Sequence, residues 1–325
     1  MTTASVTQAR PRTARGLSTT YTKSPLHRKD SRSAWLFIAP FGIFYLAFLL
    51  GPTIYMLVMS FFNTSLVHTG LGSFAGFANY AEMLSRPDFW SSLWHTLQFT
   101  IYTTPPLVIL AFIFAVLTNR MNRGQWFFRL AFFLPFILPS ATISLIWVFI
   151  FTPSTGLWAL VQSWFGMTPG SGVLSSPNTA MIGIAIATLW WTLGFNYVLY
   201  LAGLQEIPRE LYEAAAVDGA TAWSQIRFIT LPLLNRTTTL VVLLQIIASL
   251  KIFDQVYLMT SGGPGVSTQV SLQLITGTAF TDNRLGAGSA ASVLLFIVII
   301  VIAIIREIVD RVSARNDRAA AGKEA

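Results

Sequence analysis

Few side chains in this sequence carry charge within apolar surroundings, so those that do define the chemistry open to it. Lys251 and Asp254 lie three positions apart in one apolar stretch, with Gln245 shortly before them. On one helix face an ammonium and a carboxylate at that spacing either neutralise each other or meet a polar solute. A second stretch carries Trp190, Trp191, Asn196, Tyr197 and Tyr200. Aromatic faces rimmed by amides and hydroxyls suit a sugar path, and the same residue types also serve simply to pack helices. Covalent chemistry has little to work with, and no catalytic or metal-ligating residue is expected. There is no cysteine, and His27, His68 and His95 lack metal-ligand spacing. No Gly-x-x-x-x-Gly-Lys-Ser/Thr phosphate loop occurs, since the one Gly-Lys pair, Gly322-Lys323, is followed by Glu324.

The elements that hold these residues are set by composition. The chain has 325 residues, 54% hydrophobic and only 10% charged, with a mean hydropathy of +0.61. Soluble domains carry about 25% charged residues, so a soluble enzyme is excluded. Six apolar windows are long enough to cross a bilayer: about Trp35–Phe62, Leu93–Thr118, Leu130–Phe151, Thr179–Leu204, Thr237–Thr260 and Gly286–Ile305. Inside hydrocarbon each backbone group must be satisfied within its own segment, which makes these windows helices. The expected fold class is an all-α integral membrane protein with six transmembrane helices. Pro105-Pro106, Pro135 and Pro139 are expected to bend the second and third spans.

The net charge of +8 would suggest nucleic acid in a soluble protein; here it records orientation. Eighteen of the 21 basic residues fall on one side. They lie before the first span, in the second-to-third and fourth-to-fifth connections, and after the last span. The positive-inside rule then places both termini in the cytoplasm, with no nucleic-acid partner. Residues 1–33, rich in Arg, Ser and Thr, read as a disordered basic cytoplasmic tail, with a transit peptide as the alternative. A permease domain is expected over 34–306 and a C-terminal cytoplasmic tail over 307–325. The outer connections Asn63–Ser92 and Thr152–Asn178 read as turns with short surface helices.

The connection over 205–235 has its own grammar. Pro208 suits a first helical turn, Arg209 to Val217 are good helix formers, and Gly219 sits where a left-handed glycine ends a helix. A second short helix from about Thr221 is expected to finish before Pro232. Leu211, Ala214 and Ala215 share a face, with Glu213 beside them. Two readings remain open on these grounds. One is a docking surface for another protein; the other is an amphipathic hairpin at the lipid interface, anchored by Tyr212 and Trp223.

Glu213-Ala-Ala-Ala-Val-Asp-Gly-Ala220, continuing to Ile229-Thr-Leu-Pro232, resembles the EAA motif of bacterial ABC importer permeases. Leu201-Ala-Gly-Leu-Gln-Glu-Ile-Pro208, Phe253-Asp-Gln-Val-Tyr257 and Gly262-Gly-Pro264 with Thr268 resemble the carbohydrate-type branch. The likeness extends from about Ser33 to Ile305; one departure is Ile226, where related loops often carry phenylalanine. It implies a type I importer permease in a bacterial inner membrane. Glu213 would be the acidic anchor on a separate ATPase, Ala214 and Ala215 the close-contact surface, and Asp218, Gly219 and Ala220 the turn. It also implies a second, different permease subunit, an ATPase dimer that uses ATP and Mg, and an extracytoplasmic binding protein or lipoprotein. This chain would bind no cofactor, and the cargo would be a sugar, an oligosaccharide or glycerol-3-phosphate. Trp190, Asn196, Tyr197, Gln245, Lys251 and Asp254 are the expected lining of the path. The alternative is an ion-gradient-driven secondary transporter using Asp254; a membrane enzyme ranks behind both.

Overall fold

The computed structural model describes residues 27–67, 70–121, 123–166 and 172–321. The chain divides into two units, residues 1–55 and 56–325. In the first, α1 (His27–Tyr45) passes through a π-helical turn, Leu46–Leu50, into α2 (Gly51–Met59). The turn is closed by Gly51 N–H donating to the Leu46 carbonyl, immediately before Pro52. That widened turn shifts the carbonyl ladder where proline has no N–H to give and its ring needs room. The basic tail expected over 1–33 lies outside the described residues up to 26, and the backbone from His27 onward is helical.

The second unit contains α3 (Ala78–Ser85), α4 (Pro87–Asn119), α5 (Gln125–Ile137), α6 (Ser140–Ile150), α7 (Leu157–Trp164) and α8 (Ala180–Gln205). After these come α9 (Arg209–Val217), α10 (Ala222–Gln225), α11 (Leu231–Leu233), α12 (Asn235–Leu250), α13 (Asp254–Thr260), α14 (Ser271–Thr276) and α15 (Leu285–Ala321). The described residues form no named strand; Phe62 and Phe74 make one isolated bridge. Four helical segments are long and apolar enough to cross a membrane, or six if two bent pairs each count as one span. The connections Asn63–Ser92 and Thr152–Asn178 hold α3 and α7, the short helices expected there.

The core is strung along α4. Near its start, Phe89 and Leu93 pack with Met83, Leu274, Ile275, Ala287 and Ala291. Phe99 then joins Met181, Ile184, Ala187, Ile252, Val256 and Val270. Towards its end, Ala111, Ala115 and Val116 meet Tyr197, Tyr200, Leu201, Leu234 and Val241. Small residues allow these helices to touch closely, which is how packing is gained where lipid supplies no hydrophobic drive. At Gly194 of α8 a Cβ would lie 2.1 Å from the Phe132 carbonyl oxygen of α5, so the two backbones meet directly.

The third window bends as expected, by 97° between Ile137 and Ser140, while α4 continues as one helix through Pro105-Pro106, and two expectations about continuity need correction. Leu138 is driven into an extended conformation by Pro139, which ends α5. The fifth window is also broken: α12 stops at Leu250, Lys251 to Phe253 are not helical, and α13 starts at Asp254. The second correction concerns Pro232, which does not end the hairpin's second arm. A π-helical turn, Ile226–Thr230, precedes it and is closed by Leu231 N–H to the Ile226 carbonyl, as at Pro52. The helical path continues to Leu233 and then bends by 66° into α12.

At the other end of the bundle Arg284, just before α15, donates to both Glu82 oxygens at 2.6 and 2.5 Å. The guanidinium hydrogen bond, reinforced by its charge, holds the Glu82 carboxyl below its ordinary value of 4.5, against a smaller opposing effect of burial. A carboxylate with a lowered folded pKa stabilises the fold above its ordinary pKa, and that contribution is lost as pH falls through the lowered value. The pair is well exposed, so Glu82→Gln should cost no more than about 1 kcal/mol at pH 7. The thermal midpoints of wild type and variant should converge as the pH falls below 4.5 and through the lowered value.

Candidate functional site

Two assemblies carry the polar chemistry. The first is the hairpin α9–α11. Arg209 to Val217 form the first arm, with Pro208 just ahead and Glu210 in the first turn. The arm ends in a Schellman closure: Ala220 N–H donates to the Ala215 carbonyl at 2.8 Å and Gly219 N–H to the Ala216 carbonyl at 3.1 Å. Gly219 holds φ +78°, a value that a side-chain-bearing residue adopts only with strain. Thr221 then caps the second arm, its hydroxyl accepting from Ser224 N–H at 3.3 Å.

The inner side of the hairpin is fastened to the bundle. Tyr212 shares a 3.0 Å hydroxyl contact with buried Thr230, and its ring packs with Ile226 and Ile229 against the cluster of Leu201, Leu204 and Ile207. Arg120, at the end of α4, donates to the Ala222 carbonyl at 3.2 Å. Tyr212 is therefore an internal clamp, which removes one of the two lipid anchors that an interfacial hairpin would use. Glu213, Ala214, Ala216, Val217, Asp218 and Gly219 face outward, with Ala215 and Ala220 half-buried. Trp223 and Phe228 are also exposed, so a wide apolar and acidic surface surrounds the turn.

The second assembly is a cleft of about 310 Å³ at the break in the fifth window. Its lining includes Trp191, Thr192, Gln245, Ser249, Lys251, Phe253 and Asp254. Of the sequence-predicted path residues, Gln245, Lys251 and Asp254 come together here. Asn196 is buried beside them and donates to the Gln245 side-chain oxygen at 3.3 Å and to the Thr192 carbonyl at 3.2 Å. Trp190 is not in this lining; it is partly exposed and meets Trp147 edge to face at 6.0 Å. Tyr197 is fully buried in the lower cluster, against Phe132.

The helix break places Lys251 and Asp254 on different elements, because one closes α12 and the other opens α13. No ion pair joins them among the described residues. Asp254 instead accepts a hydrogen bond from the Ser140 hydroxyl at 3.0 Å, and Trp191 donates its indole N–H to the Leu138 carbonyl at 3.1 Å. Sequence spacing offers no signal for Ser140, which lies 114 positions before Asp254. The cleft offers an aromatic face, two amides, hydroxyls and one charge of each sign, a set suited to reversible hydrogen bonding of a polyhydroxylated solute. Among the described residues no group of three His, Asp or Glu side chains converges as a metal site would require.

The family described as binding-protein-dependent transport system inner membrane component matches residues 108–315. The sulfoquinovosyl glycerol transport system permease protein SmoG of Agrobacterium fabrum is 35% identical over 269 residues, covering 82% of this chain and 86% of that protein. The trehalose/maltose transport system permease protein MalF of Thermococcus litoralis is 33% identical, with 85% and 93% covered. The sn-glycerol-3-phosphate transport system permease protein UgpA of Rhizobium meliloti is 32% identical, with 82% and 90% covered. The crystal structure of a bacterial ABC transporter involved in the import of the acidic polysaccharide alginate superposes with a TM-score of 0.76. It covers 88% of this chain and 98% of that chain at 23% identity, a likeness of fold.

Proposed function

The chain belongs to the binding-protein-dependent family of ABC importer inner-membrane permeases, and we propose that it forms part of a sugar-import path driven by a separate ATPase through the hairpin α9–α11. In this reading Glu213 anchors the hairpin in the ATPase, Ala214 and Ala215 permit close approach, and Asp218, Gly219 and Ala220 set the turn. The observation that carries it is the hairpin's two-sidedness: the inner face is clamped to the bundle through Tyr212 and Arg120, while Glu213 and Ala214 are left outward. A surface fastened on one side and bare on the other transmits a push as a rigid body.

The proposal includes six spans, each broken pair counting as one, with both termini in the cytoplasm of a bacterium. A second permease subunit completes the path, an ATPase dimer consumes ATP with Mg, and an extracytoplasmic binding protein delivers the cargo. The names of the relatives support a carbohydrate or glycerol-based solute, taken through the cleft lined by Trp191, Gln245, Lys251 and Asp254. Asn196 supports that cleft from behind, while Trp190 and Tyr197 act in helix packing.

Mild detergent extraction of the tagged chain, followed by mass spectrometry, tests the assembly. An ATPase and a second permease should co-purify. Glu213→Ala should lower ATPase recovery and uptake about tenfold, the usual worth of a lost charge-assisted hydrogen bond, with the chain still in the membrane. Wild-type chain recovered alone, or full uptake by the variant, would overturn the coupling reading.

A further inference from the structure

One helix break lies in the wall of the cleft, and a second is bonded to that wall through Trp191 and Asp254. Leu138-Pro139 separates α5 from α6, and Lys251 to Phe253 separate α12 from α13. α13 packs against α6, and two side chains bridge the region. Ser140, the first residue of α6, donates to Asp254, the first residue of α13. Trp191 of α8 donates to the Leu138 carbonyl, which the end of α5 has left without a helical partner. Trp191, Lys251, Phe253 and Asp254 all line the cleft, so the bonds that hold the breaks also hold its wall.

We infer that Asp254 is a positioning residue, holding α13 onto α6 through Ser140 so that the broken backbone at Lys251 to Phe253 keeps the cleft in shape. Its carboxylate acts as a hydrogen-bond acceptor for the protein itself, not as a proton carrier. Three features support this role. Asp254 is not paired with Lys251, its hydroxyl partner lies on a different broken span, and no proline or glycine stands between Leu250 and Asp254 to fix that break by backbone chemistry alone. A break without such a residue needs side-chain bonds to keep one geometry. Trp191 performs the matching task at the other break, where Pro139 already dictates the stop.

The inference rests on the cleft being part of the import path, and the test separates the two. Uptake is measured in the intact transport system with membrane levels of the complex quantified for every variant. Ser140→Ala and Asp254→Ala should each lower the maximal uptake rate about tenfold, the scale of one hydrogen bond to a charged acceptor. For Ser140→Ala the half-saturating cargo concentration should stay unchanged, because Ser140 lies outside the cleft lining and no capturing contact is removed. The double variant should be no worse than the weaker single variant, since both substitutions delete the same bond. Asp254→Asn keeps an acceptor oxygen and should stay within about threefold of wild type.

Full activity of the alanine variants, additive losses in the double variant, or an asparagine variant as poor as the alanine would each overturn the positioning role. The last result would assign the charge itself a function, as an ion-coupled mechanism requires. Ala248→Trp, which fills the same cleft, is the control on the underlying reading. If it leaves uptake intact, the cleft is not the path; if it blocks uptake while the Ser140 and Asp254 variants are silent, only the positioning role fails.

Discussion

Uptake should fall about a hundredfold or more when Gly219 is replaced by proline, while the chain still inserts in the membrane. Three losses coincide at that position. Proline fixes φ near −65°, and the backbone there requires +78°. Proline also removes the N–H that donates to the Ala216 carbonyl, one of the two bonds of the Schellman closure. Without that closure the second arm no longer leaves the first at the angle that brings Thr230 to Tyr212. Asparagine is the telling control, because it tolerates the left-handed region and keeps its N–H. Gly219→Asn should retain most of the uptake. Equal loss in both variants would mean that the side-chain-free surface of the turn, and not its backbone geometry, is what matters.

The second large effect is expected far from the hairpin. Gly194→Ala places a methyl carbon 2.1 Å from the Phe132 carbonyl oxygen. That neighbour is backbone, so no rotamer change relieves the clash and α5 must separate from α8. The separation loosens the aromatic contacts of Phe132 with Tyr197 and Phe114. Overpacking of this kind costs about 1–3 kcal/mol, and the thermal midpoint of the purified permease should drop by about 2–5 °C. Gly277→Ala meets nothing within 4 Å and should leave the midpoint unchanged. An unchanged midpoint in Gly194→Ala would show that the two helices are not in backbone contact.

How much of this could be read in the sequence depended on whether the cause was local. The helix from Arg209 to Val217 and its stop at Gly219 were legible, because capping is decided by residues within one turn of each other. The apolar windows were legible because burial in lipid leaves a long uniform trace. Proline gave a less certain signal. Pro139 ends a helix, Pro105-Pro106 lie within an unbroken one, and Pro52 and Pro232 are accommodated by π-helical turns. What differs is the support that neighbouring helices provide, and no single sequence states it.

The break at Lys251 to Phe253 left no trace at all, since ordinary helix formers occupy it. The bond that fastens Asp254 beside it comes from Ser140, 114 positions away, where α13 packs on α6. For the same reason the spacing of Lys251 and Asp254 suggested one helix face, whereas Lys251 ends α12 and Asp254 begins α13. Tyr212 read as a lipid anchor because an aromatic in an amphipathic hairpin usually is one. Its role as a clamp became visible only with Thr230 placed opposite.

The unbroken course of α4 carries a further consequence. At 33 residues it is about 50 Å long, and it is tied at several depths. Asp88 and Arg86 fix its beginning, Thr96 bonds Ser271 and His95 meets the Gln269 carbonyl further along, and Arg120 reaches Ala222 at its far end. A stiff strut fastened at both membrane faces does not let one face shift while the other rests. A reporter attached near Asp88 should therefore register events at the hairpin, with the distance between them spanned by a single piece of helix.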